Sequence, residues 1–87
     1  MPPRTWVSSS AHDALVALLV SERKKQGLTQ RQLAARLGKP PNFVARIETG
    51  QRNLSVVEFV VFARAFGADP AEMFNQLLAE LPQELSA

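Results

Sequence analysis

Apolar residues recur at three- and four-residue intervals along most of the chain, and no stretch alternates long enough to predict a strand. The pattern predicts five helices and an all-α chain. The first is capped by Ser10, with Asp13 three residues on as a variant capping box, and it ends at Gly27. Leu15, Leu18 and Leu19 give it a core stripe, and Arg23, Lys24 and Lys25 suit the negative end of its dipole. Thr29 caps the second helix, Leu33, Ala34 and Leu37 face inward, and Gly38 stops it. The third begins at or near Pro41, where a missing amide costs little, and runs to about Thr49 before Gly50. Its inner face is Val44 and Ile47, joined by Phe43, which leaves Pro41, Asn42, Ala45 and Arg46 outside. Ser55 caps the fourth helix, which is dense in Val and Phe as far as Gly67. Asp69 caps the fifth, with Pro70 first and Met73, Phe74, Leu77, Leu78 and Leu81 along it, ending before Pro82.

The middle of this pattern carries the functional signal. Residues 27–52 place two short helices around a Gly-Lys-Pro-Pro turn and end in a basic loop, the layout of a helix-turn-helix. Charge coincides with it. The chain has a net charge of only +2, yet residues 23–52 hold eight Lys and Arg against the single Glu48, while residues 53–87 hold five Asp and Glu against the single Arg64. A basic block on a helix-turn-helix suits a polyphosphate such as double-stranded DNA, because each neutralised phosphate releases counterions. A solvated basic face would carry the same charges, and it is their coincidence with the motif that favours DNA.

Length and composition narrow the remaining choices. The expected organisation of the 87 residues is a tail over 1–10, one domain over 11–82 and a tail over 83–87. Without cysteine the chain has no disulfide framework and no thiolate metal site. The longest uninterrupted apolar run, 14–20, is far short of a membrane span and lacks the flanks of a signal peptide, so the expected location is the cytoplasm. His12, with no second His or Cys to complete a ligand set, reads as an ordinary helix-start residue, and neither metal nor cofactor is expected. No phosphate-binding glycine loop and no nucleophile with a base at motif spacing is present, so catalysis is not expected.

Over roughly residues 15–78 the sequence resembles the XRE family, the Cro and phage-repressor type of helix-turn-helix regulator. The matching residues are Arg23, Gly27-Leu28-Thr29-Gln30, Leu33-Ala34-Ala35-Arg36-Leu37-Gly38, Phe43-Val44, Arg46-Ile47-Glu48, Gly50, Ala63-Arg64-Ala65-Phe66-Gly67 and Asp69-Pro70. The resemblance implies a compact five-helix bundle of the lambda-repressor type that binds operator DNA as a homodimer, with its third helix in the major groove.

It also implies roles for individual residues. Gln30 would meet a phosphate at the start of the second helix, although a polar residue there is unexceptional. Arg31, Arg36 and Lys39 are further phosphate candidates. Asn42 suits adenine and Arg46 suits guanine, with a backbone contact equally open to Arg46. Ala45 offers a methyl group to thymine, as any small surface residue would. Pro41 departs from the polar residue common in relatives; it packs on a thymine methyl or only stiffens the turn, which shifts readout toward DNA shape. Arg52 and Asn53 lie in the loop that the family docks on the DNA backbone, with Arg52 expected on a phosphate. Arg23 and Glu48 match a structural pair joining the first helix to the end of the third.

More apolar residues remain than one core face can use. Trp6, Val57, Val61, Phe74, Leu77, Leu78 and Leu81 are the candidates for an interface between two copies. The leading expectation is a dimeric repressor on a palindromic operator. An antitoxin that binds DNA and also holds a toxin is one alternative, and an interaction module on the same scaffold is another.

Overall fold

The computed structural model describes residues 10–81. Five helices account for its regular structure: α1 Ser10–Lys25, α2 Gln30–Leu37, α3 Phe43–Glu48, α4 Val56–Ala65 and α5 Pro70–Glu80, with no strand among the described residues. Residues 1–9, with Trp6, and 82–87 lie outside them, while Ser10, counted with the first tail in the sequence, opens α1.

Local chemistry explains most of the boundaries. Thr29 and Gln32 form a reciprocal capping box, Thr29 Oγ1 accepting from the Gln32 amide at 3.1 Å and Gln32 Oε1 from the Thr29 amide at 2.8 Å. Ser55 and Glu58 repeat the arrangement at the start of α4, at 3.0 and 2.9 Å. Asp69 caps α5 by accepting from the Ala71 amide, and Pro70 follows at the first position. Gly38 closes α2 with φ of 67°, its amide donating to the Ala35 carbonyl and that of Lys39 to the Ala34 carbonyl in the last turn.

The third helix is shorter than the sequence suggests. Pro41 and Asn42 belong to a turn closed by the Phe43 amide on the Pro40 carbonyl at 3.0 Å, and the helix starts at Phe43. Two adjacent prolines disfavour helical backbone at Pro40, and Asn42 sits at φ −89°, ψ 0°, outside the helical well.

The core gathers Leu19 of α1, Leu33 and Ala34 of α2, Val44 and Ile47 of α3, Phe62 and Ala63 of α4 and Met73 of α5, with Leu15, Leu18 and Leu37 packed at its edge. Phe62 is its aromatic centre, with ring centroids of Phe43 and Phe66 each 6.2 Å away. α3 packs on α1 and α2, α2 also on α4, and α5 on α1 and α4. The short helix is therefore held from below on two sides.

His12 lies in the first turn of α1, as expected, and is buried there.

Candidate nucleic-acid interface

α3 has two chemically distinct faces. Phe43, Val44 and Ile47 are buried in the core, while Asn42 just before the helix and Arg46 on it are exposed and Ala45 is half-buried. Asn42, Ala45, Arg46, Thr49 and Gln51 line one open groove. Pro41 is exposed in the turn beside it. Thr49 follows Ala45 at helical spacing and was legible from that periodicity; its hydroxyl donates to the Ala45 carbonyl at 2.9 Å. Gln51 lies past the helix, where no periodic signal reaches.

The end of α3 is fixed by a charged cluster. Arg23 donates from Nε to Glu48 Oε2 at 2.7 Å and from Nη2 to Oε1 at 3.1 Å, a bidentate pair with side chains only 11% and 9% exposed. Arg23 Nη1 also donates to the Leu28 carbonyl at 2.8 Å, tying in the turn between α1 and α2. Gln30 joins this cluster, its Nε2 donating to Glu48 Oε1 at 2.7 Å. The amide expected to face a phosphate is thus turned toward a carboxylate, because Glu48 has lone pairs left after binding Arg23.

Three other expected DNA contacts are held within the fold. Arg36 donates from Nη1 to the Ala65 carbonyl at 3.0 Å, satisfying a free acceptor at the end of α4. Arg52 forms a fork with Glu58, Nη1 to Oε1 at 3.1 Å and Nη2 to Oε2 at 2.8 Å, and also donates to the Asn53 carbonyl. This arrangement holds the Glu58 carboxyl at a pKa of about 2, aided by the Ser55 amide, and raises that of Arg52. Asn53 turns its Oδ1 to the Leu54 amide at 2.8 Å.

Two cations rest on one ring. Lys39 Nζ lies 5.4 Å from the Phe43 ring centroid, and the Arg52 guanidinium carbon lies 4.7 Å from it. Arg31 and Arg46 are exposed, and neither guanidinium has a protein partner among the described residues. The basic block therefore divides into cations that build the fold and cations that face outward. The outward set, beside a rigid helix with an exposed Asn and Arg, is suited to an extended polyanion with readable edges.

Among the described residues no group of three or more His, Cys, Asp or Glu is assembled to hold a metal, and no helix is long and apolar enough to cross a membrane.

Known proteins share this arrangement. A helix-turn-helix family model matches residues 19–73, which include all of α2, α3 and α4. An XRE-family-like protein from Pseudomonas syringae pv. tomato DC3000 is 43% identical, superposes with a TM-score of 0.76, and covers 83% of this chain and 88% of its own. The clp gene regulator ClgR from C. glutamicum is 26% identical, with a TM-score of 0.71 over 85% of this chain and 96% of its own. An uncharacterized HTH-type transcriptional regulator, y4dJ, from Sinorhizobium fredii strain NGR234 is 33% identical over 51 residues, 59% of this chain and 66% of that protein. With the family model spanning more than half of the chain and a structural relative at 43% identity, the chain belongs to the XRE family of helix-turn-helix DNA-binding transcription regulators.

Proposed function

We propose that the protein is a sequence-specific repressor that binds a palindromic operator as a homodimer, with α3 in the major groove. The observation that carries this reading is the pairing of Asn42 and Arg46, both exposed beside one groove, on a helix whose opposite face is buried. Asn42 reads adenine, and Arg46 reads guanine or grips the backbone; Arg31 and Lys39 add phosphate contacts. Pro41 and Ala45 contribute shape and methyl contacts only.

The dimer reading rests on apolar surface that the fold leaves open. Val57 is 73% exposed, Val61 45%, Phe74 49% and Leu78 50%. Leu77 does not belong with them: at 8% exposure it is covered by its own chain, being on the inner side of α5 beside Met73. Leu81 is half-buried at the end of that helix. A two-fold axis through this surface sets the recognition helices about one DNA turn apart, roughly 34–36 Å.

The test is selection of the purified protein on a random duplex library, followed by affinity measurements across salt concentration. Recovery of a two-fold symmetric sequence with steep salt dependence supports the reading. Enrichment of no sequence, with negligible affinity at low salt, removes it in favour of a protein-interaction role. A 1:1 complex on a single half-site removes the dimer alone.

A further inference from the structure

The loop between α3 and α4 is fastened at several points by one residue, Arg52. The Arg52 amide donates to the Arg46 carbonyl at 3.1 Å, at the end of the α3 segment that carries the outward-facing residues. Its guanidinium reaches the other end of the same segment, lying over the ring of Phe43, the residue next to Asn42. Between these points it forks onto Glu58 in the first turn of α4 and bonds the Asn53 carbonyl of the loop. Glu58 in turn accepts from the Ser55 amide, so the fork is continuous with the cap of α4.

An arginine at this place invites assignment to a DNA phosphate. The geometry argues otherwise. Three of its five N–H groups are already used, and its charge is offset by a carboxylate at 2.8 Å. A guanidinium neutralised by its own protein releases few counterions on meeting DNA. Its contacts instead fix both the entry and the exit of the α3 segment that presents Asn42 and Arg46.

We propose that Arg52 is a positioning residue for the recognition helix, acting through Phe43 and Glu58 and not through a phosphate. This rests on the DNA-binding reading above. It makes Glu58, an acidic residue outside the groove, a determinant of operator affinity.

The test compares Arg52→Gln, Arg52→Lys and Glu58→Gln on the duplex recovered from the library. All three lose the fork, so all three weaken binding alike, by roughly 3- to 30-fold, the span expected for residues acting through a neighbour. The slope of log affinity against log salt stays that of the parent protein in Arg52→Gln and Arg52→Lys. A phosphate contact gives a different set: Arg52→Gln lowers the slope by about 0.9, Arg52→Lys restores binding, and Glu58→Gln leaves affinity intact or tightens it. Any of those results overturns the proposal.

Backbone amide shifts of the free protein supply a readout without DNA. Arg52→Gln and Glu58→Gln both move the amides of residues 42–46 and 49–55 and leave those of α1 in place. If the α3 amides stay put, the positioning role is wrong. If the parent protein binds no DNA at all, the functional reading fails, and these shifts still decide whether Arg52 sets the pose of α3.

Discussion

Arg23 on α1 and Glu48 at the end of α3, 25 residues apart in sequence, meet through two hydrogen bonds of 2.7 and 3.1 Å in a nearly buried setting. Glu48→Ala leaves the guanidinium of Arg23 without its anion and the amide of Gln30 without its acceptor. Breaking a buried pair from one side typically costs about 3–5 kcal/mol. The expected outcome is a lower denaturation midpoint with an unchanged slope in a urea titration.

Arg46→Ala behaves in the opposite way. Its side chain is exposed and makes no hydrogen bond or ion pair among the described residues, so thermal stability stays within about 0.5 kcal/mol of the parent. Operator affinity falls by about 1–3 kcal/mol if the residue reads a base edge. Equal loss of melting temperature in Arg46→Ala and Glu48→Ala would contradict this division between the two faces of α3.

Acid sensitivity follows from Glu58. Its carboxyl titrates at about 2 against an ordinary 4.5, so the folded protein holds this group ionised where the unfolded chain begins to protonate it. The stabilisation is complete above pH 4.5 and is lost as pH falls toward 2. The pair is partly exposed, so its share is about 1 kcal/mol or less. Denaturation midpoints measured across this range fall less steeply in Glu58→Gln than in the parent.

Leu78→Asp tests the open apolar surface. The residue is half exposed on α5, so the fold tolerates the charge, whereas a dimer built on this face does not. Sedimentation velocity is expected to show a folded monomer, with helical circular dichroism unchanged.

Phe62→Ala addresses the core. The residue is 2% exposed and its ring meets both Phe43 and Phe66, so its removal leaves a cavity in the core and costs about 3–5 kcal/mol. Phe43 then loses a neighbour beneath the start of α3, and operator affinity falls along with stability.

The helices were legible because their periodicity and caps agree: Thr29, Gly38, Ser55 and Asp69 stand where the sequence puts them. The start of α3 was not, because Pro41 is equally at home in a first helical turn and in a tight turn, and the choice falls to the Pro40–Phe43 hydrogen bond. The Arg23–Glu48 pair was visible through the family pattern. The partners of Arg36, Arg52 and Gln30 were not, since a hydrogen-bond donor reads the same whether it faces a phosphate, a carboxylate or a carbonyl 29 residues away. Sequence records the charge of a side chain but not whether another part of the chain has already claimed it.

The separation of the two faces of α3 has an evolutionary reading. Residues whose side chains hold the helix in place, Phe43, Val44, Ile47 and Glu48, are interspersed with residues whose side chains make no hydrogen bond or ion pair among the described residues, Asn42 and Arg46. Substitutions in the second set leave the core and the charged cluster intact. A lineage can therefore change what this helix presents to a partner, one exposed position at a time, without passing through an unfolded intermediate.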